Sequence, residues 1–319
     1  MRATVSLSVT SSPSTTAGPP HASFWRTWFH AVRPRSFTTS TVPIVAATAL
    51  ALVDGSVEPV LFVKMVLASI FPHAACNLTN DYFDDRRGVD SKETLGQGGA
   101  LQSGVLSHDD LRNGIAITFG LAILSAVPVI AAVGPIIIWL GLASAAAAFL
   151  YTAGPFPLAY YALGEITVFL AMGLGMVCGS YYVNTRSVTV PAVLLGVAIG
   201  LLAAAFLHAN NVRDIETDRV RNKRTLANLL PRKAAVLEYA LLVMTPYALA
   251  IAMIVVQPVL YPVLLVWLSF PKAFKLIERM GLSTSRVDLN AVTRNSAGLH
   301  LRFSTLMCFG LVIAALIAR

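Results

Sequence analysis

Residues 190–218 read VPAVLLGVAIGLLAAAFLHANNVRDIETD. The stretch 190–207 carries no charged or amide side chain. A run of that length approaches the roughly 20 apolar residues with which a helix crosses a bilayer. The next eleven residues are its opposite: His208, Asn210, Asn211, Arg213, Asp214, Glu216 and Asp218 crowd into a short polar segment. The apolar half decides the fold class. The polar half, at the point where the chain leaves the membrane, is where chemistry is expected.

The rest of the chain repeats the first half of that pattern. Of its 319 residues 56% are hydrophobic and only 13% charged, with mean hydropathy +0.69. Soluble domains carry about 25% charged residues, so a water-facing surface could not cover this much apolar area. The composition predicts an all-α integral membrane protein of about nine transmembrane helices. The spans fall near 37–53, 59–80, 113–133, 135–153, 163–183, 190–211, 236–256, 258–275 and 299–318. Two divisions rest only on Gly134-Pro135 and Gln257-Pro258, where proline could kink a span instead of ending it. Residues 1–36, rich in Ser, Thr and Pro, lack the apolar core of a signal peptide. Within them 1–22 is expected to be disordered, and Trp25, Trp28 and Phe29 to sit at the membrane interface. The transmembrane domain is then 37–319, with pseudo-repeat halves of about 37–153 and 163–275 and a last helix at 299–318. Cys76, Cys178 and Cys308 lie singly in apolar segments and read as small buried hydrophobes.

Charge gives the orientation. With nine spans, 21 of the 24 Lys and Arg residues fall on one face, the exceptions being Lys64, Arg186 and Arg319. That face is therefore cytoplasmic by the positive-inside rule. The net charge of +8 is accounted for by orientation and by anionic lipid headgroups, with no need for nucleic acid as a partner.

The acids cluster on the same face. Seven of the 16 lie in 81–110, including Asp81, Asp84, Asp85 and Asp90, and three lie in 214–218. Asn77, Asp81 and Asp85 repeat the spacing of Asn210, Asp214 and Asp218, as an internal duplication would produce. On one continuous helix, residues four apart share a face, so Asp214 and Asp218 are expected to point the same way. Like charges so placed repel unless a cation neutralises them. Carboxylate and amide oxygens suit Mg²⁺, which keeps positions open for phosphate oxygens. Lys223 and Arg224 come directly after the second cluster, and a diphosphate needs such cations to hold its charge as it leaves. The alternative for any single acid or base is a solvated helix end. Two matching clusters, each with Asn on the membrane side, argue for a cation–diphosphate site. The stretch Leu95-Gly-Gln-Gly-Gly-Ala-Leu-Gln-Ser-Gly104 reads as either a lid or a plain flexible loop. Tyr151, Tyr160 and Tyr161 read as an aromatic belt or as a substrate wall. His73 and His208 are expected to pack inside the bundle.

Asn80-Asp81-Tyr82-Phe83-Asp84 with Asp90, and Asn210-Asn211-Val212-Arg213-Asp214-Ile215-Glu216-Thr217-Asp218, resemble the paired signature motifs of the UbiA superfamily of membrane prenyltransferases. The resemblance extends to Arg33-Pro34-Arg35-Ser36-Phe37, Gly98-Gly99-Ala100-Leu101, Tyr151-Thr152-Ala153-Gly154-Pro155, Ala162-Leu163-Gly164-Glu165 and Lys223-Arg224-Thr225-Leu226-Ala227. It is nearest to the 1,4-dihydroxy-2-naphthoate polyprenyltransferase branch. It implies a helical bundle around a central cavity. It also implies Mg²⁺-dependent transfer from a polyprenyl diphosphate to a naphthoate-type aromatic acceptor, as in menaquinone biosynthesis. In that reading Asp81, Asp84, Asp90, Asp214 and Asp218 hold metal. Asn77, Asn80, Asn210, Asn211, Arg33, Arg224 and Tyr151 bind substrate. Asp84, Asp214, Asp218 and Lys223 carry the catalysis, at the cytoplasmic face of a bacterial-type inner membrane. The sequence departs from the family at Gly88, where many members have Asp. The family register favours Asn80 and Asp84 over the repeat register of Asn77, Asp81 and Asp85. Another aromatic acceptor is one alternative. A transporter of a divalent cation or phosphorylated solute is another, but its acids are expected near mid-membrane. The pattern of CDP-alcohol phosphatidyltransferases is absent.

Overall fold

A computed structural model describes residues 24–86, 101, 105–151, 156–220 and 222–319. The expectations for 1–22, Asp90, most of the Gly-rich stretch and Thr152–Pro155 lie outside the described residues. Over the described residues every expected span is helical. The helices are α1 (Phe24–Val32), α2 (Thr38–Val53), α3 (Pro59–Arg86), α4 (His108–Val133) and α5 (Ile136–Leu150). Next come α6 (Gly164–Thr185) and α7 (Val190–Arg213), then the short α8 (Ile215–Val220) and α9 (Leu226–Leu229). The bundle closes with α10 (Arg232–Val256), α11 (Pro258–Leu282) and α12 (Arg286–Ile317). Among the described residues seven of these are long and apolar enough to cross a bilayer, while α2 and α5 are apolar but shorter.

Both doubtful divisions are breaks. Gly134 takes φ +106° between α4 and α5, a conformation that glycine adopts without steric cost. The chain also turns extended at Gln257 before Pro258. Pro258 and Pro262 each lack an N–H, and Pro258–Ser269 winds in the tighter 3₁₀ form before α-helix resumes at Phe270.

One expectation needs correction. The charges of 272–302 do not lie in a loop between the last two expected spans, because α11 continues to Leu282 and α12 begins at Arg286 with Ser285 capping the Asp288 amide. They recur at helical spacing, which a count of loop charges cannot distinguish from a loop. The last helix therefore starts well before 299. The helix is interrupted at Asp214 for one residue, with the Asp218 amide still donating to the Asp214 carbonyl at 2.8 Å, and the two side chains take different partners.

Small residues set the closest approaches, as expected where helices pack without a hydrophobic driving force between them. A methyl carbon built on Gly173 of α6 would lie 2.4 Å from the Gly200 Cα and 2.6 Å from the Gly196 carbonyl oxygen of α7. Neither is a flexible side-chain end that could move aside. Gly173→Ala is expected to cost roughly 1–3 kcal/mol or more through overpacking, read as a lower melting temperature in detergent. Gly120→Ala, with nothing within 4 Å of the new carbon, is the matched control and should not lower it.

Candidate active site

The C-terminal end of α3 divides its polar residues between neighbours. Asn77 donates to the Val32 carbonyl at 2.9 Å and to Ser36 Oγ at 3.1 Å. One turn on, buried Asp81 is bonded by the Arg33 guanidinium. His73 joins the same patch, with its ring nitrogens 3.1 Å from Ser36 Oγ and 3.0 Å from Ser40 Oγ. Arg33 itself is left-handed, at φ 54°. The repeat register of Asn77 and Asp81 thus clips the Arg33–Ser36 turn onto α3. Asp84 is turned elsewhere and accepts a hydrogen bond of 2.9 Å from the Tyr160 hydroxyl. Asp85 faces His108 of α4 at 3.0 Å. Asn80 contacts its own helix in its Cys76 bond, Sγ to Oδ1 at 4.0 Å.

The second cluster arrives from the other half of the chain. Asp214 is clasped by Arg213 and, at 3.0 Å, by Arg286 of α12. Burial pushes its carboxyl upward, but the two guanidinium groups outweigh this and hold it below the usual carboxylate range. Asp218 is buried and lies 3.4 Å from Lys223 Nζ. That ammonium sits 5.9 Å from the centroid of the Tyr160 ring. The backbones of the two loops are tied as well, Arg224 N–H donating to Tyr160 O at 3.1 Å and Ala162 N–H to Arg224 O at 2.9 Å.

Tyr160 is therefore the joint between the clusters. Its hydroxyl holds Asp84, its ring lies beneath Lys223, and its backbone pairs with the loop that carries Lys223. Carboxylates far apart in sequence meet on one face of the bundle, at helix ends and not at mid-membrane.

Behind this joint is a buried polar group. Asn211 of α7 donates to Glu165 Oε1 at 2.8 Å. His208 Nδ1 lies 3.4 Å from the same oxygen and 3.8 Å from Glu238 Oε2 of α10, while Nε2 lies 2.9 Å from the Ala235 carbonyl. The carbonyl can only accept, so Nε2 carries hydrogen. The amide nitrogen of Asn211 is committed to Glu165, which turns its oxygen the other way. Tyr151 stands nearby, its hydroxyl 3.6 Å from a methyl built on Gly164. Asn210 is half-buried on α7, and Arg224 is exposed.

Among the described residues no three acidic, His or Cys side chains form a closed metal cage. Mg²⁺ is commonly held by one or two carboxylates with substrate phosphates completing the shell. The oxygens of Asp84, Asp218 and Asn211 are donors of the right hardness. Sequence reasoning missed Arg286 as the clamp on Asp214, and Glu238. Glu238 carried a readable signal, an acid just inside an apolar span.

The sequence profile described as the UbiA prenyltransferase family matches residues 40–286. The chain belongs to the UbiA prenyltransferase family. It is a membrane-embedded prenyltransferase, and the transporter alternative is set aside. It is 30% identical over 283 residues to a 1,4-dihydroxy-2-naphthoate octaprenyltransferase of Bacillus subtilis, covering 88% of this chain and 91% of that protein. It is 32% identical to the UbiA prenyltransferase domain-containing protein 1 of Xenopus tropicalis, covering 90% of this chain and 82% of that one. The UbiA homologue of Archaeoglobus fulgidus, solved with GPP and Mg²⁺, superposes with a TM-score of 0.63 at 16% identity. That match covers 90% of this chain and 99% of the homologue, and it shows that the UbiA fold is shared.

Proposed function

We propose that this prenyltransferase moves a polyprenyl group from polyprenyl diphosphate to 1,4-dihydroxy-2-naphthoate, a step of menaquinone biosynthesis. It would use Mg²⁺ at the cytoplasmic face of a bacterial-type inner membrane. The observation that carries the reading is the meeting of Asp84, Tyr160, Lys223 and Asp218 at one point. The named activity of the Bacillus subtilis relative supports the acceptor.

Asp84 and Asp218 would hold Mg²⁺, with Asp90 from outside the described residues; Asp81 and Asp214 would join them on exchanging the guanidinium groups of Arg33 and of Arg213 and Arg286 for the metal. Bound there, the metal would neutralise the diphosphate and stabilise it as it leaves. Asn211 would add its amide oxygen to the metal shell, Asn80 would orient the phosphates, and Lys223 and Arg224 would take up the charge that develops on the departing group. The allylic carbon–oxygen bond breaks, the electron-rich ring forms the new carbon–carbon bond, and the acceptor carboxyl departs as CO₂. The bundle keeps water from the allylic centre, which would otherwise be hydrolysed.

The test is purified protein with Mg²⁺, radiolabelled prenyl diphosphate and a panel of aromatic acids, with product masses read out. Dihydroxynaphthoate should be prenylated with loss of CO₂. EDTA should silence the reaction and excess Mg²⁺ restore it. Turnover unaffected by EDTA would remove the metal from the reading, and prenylation of another acid alone would replace the acceptor.

A further inference from the structure

The positive residues on α11 and α12 are not all at the membrane surface. Arg302 precedes Ile317 on α12 by a length of helix of about 22 Å, at 1.5 Å per residue. Pro258–Ser269 rises faster, at about 2.0 Å per residue, and places Lys272 roughly 28 Å from the same end. Gln257 and Arg319 flank that end in sequence. With a hydrocarbon core about 30 Å thick, Lys272 comes close to the level of the opposite headgroups, and Arg302 lies about 8 Å deeper, a depth from which a long cationic side chain snorkels toward them. This is also the leaflet nearer the active site, since α11 and α12 are joined on the side where Arg286 meets Asp214. An aromatic cluster lies one turn before Lys272 on α11: Trp267 stacks on Phe270 at 5.0 Å, with Tyr247 5.5 Å and 5.3 Å from the two rings.

The two cations are brought together by packing. Lys272 Nζ lies over Gly298, only 2.9 Å from where a methyl carbon would stand. Gly298 and Arg302 are one helical turn apart, on one face. Arg302 is exposed and reaches back to the Leu268 carbonyl at 3.4 Å. Among the described residues neither cation forms an ion pair with a carboxylate. Two like charges held together at the edge of the hydrocarbon are costly without an anion, and the anion abundant at that depth is lipid phosphate.

We propose that Lys272 and Arg302 form a binding site for the phosphate of an anionic membrane phospholipid, with Trp267 and Phe270 beside it against the acyl chains. The site stands apart from the catalytic residues and does not depend on the identity of the acceptor.

Native mass spectrometry of the purified protein, titrated with phosphatidylglycerol or phosphatidylcholine, tests it. The wild-type chain should retain phosphatidylglycerol selectively. Lys272→Gln/Arg302→Gln should weaken that binding roughly thirtyfold, at about 1 kcal/mol per cation near the surface. Lys275→Gln/Arg279→Gln removes the same charge from exposed positions of α11 and should leave binding in place. Gly298→Leu keeps both charges but fills the seat of the ammonium, and should weaken binding as the double variant does. It also decides the matter if the double variant fails to fold. Equal losses in the Lys275/Arg279 control, or unchanged binding in Gly298→Leu, would overturn the site. Displacement of the lipid by millimolar inorganic phosphate would reassign it to a free anion.

Discussion

Asp84→Ala is expected to lower prenyl transfer by about a thousandfold while the protein still inserts and folds. The magnitude reflects the charge that must be stabilised. A metal clamp on a transferring group supplies several kcal/mol of charge stabilisation, and each 1.4 kcal/mol is about tenfold in rate. The folding cost is small by comparison, because the hydrogen bond from Tyr160 to Asp84 contributes only about 1–2 kcal/mol net. Asp85→Ala is the internal control. Asp85 is directed at His108, away from the joint between the clusters, and its loss should cost far less. The measurement is the initial rate with saturating prenyl diphosphate, alongside a melting curve. Full activity in the Asp84 variant, with Mg²⁺ the only divalent ion, would end its proposed role. Equal losses at both positions would mean that the two faces of this helix end are not separated as the geometry has them.

Much of this could be read beforehand, for a specific reason. A run such as 190–207 has one stable solvent, so the helix and its approximate ends come from apolar length alone. Paired acids beside Asn and Lys at two such ends also announce charge chemistry. Periodicity gives a face and not a partner. Asp214 goes to Arg213 and Arg286 while Asp218 goes to Lys223, and no spacing rule contains those choices. Nor does local sequence contain the pairing of Tyr160 with Arg224, which depends on two loops from different halves of the chain arriving together. The stretch 272–302 fails differently. Its charges resemble those of a loop in a count but lie along helices whose other face is apolar and buried, at Ala273, Leu276, Met280, Leu289 and Val292.

His208→Leu is expected to destabilise the fold by about 3–5 kcal/mol, the usual cost of removing one partner from a buried ionic pair. Two effects compete. Single hydrogen bonds inside membrane proteins average only about 0.6 kcal/mol, so the lost bonds to Glu165 and the Ala235 carbonyl predict a minor effect. Yet Glu165 is 4% exposed and His208 fully buried. Leucine would leave the Glu165 carboxylate beside Glu238 with the Asn211 amide as its described donor. The stranded charge should dominate. The two accounts separate in the double variant His208→Leu/Glu165→Gln, since glutamine keeps an oxygen for Asn211 but brings no charge. If charge is the cause, the second substitution restores most of the melting temperature lost in the first. If only hydrogen bonds matter, it lowers stability further. A single His208→Leu variant that melts with the wild type would show that α6, α7 and α10 do not depend on this buried cluster. Glu165 would then have to fix the Asn211 amide without help from the imidazole.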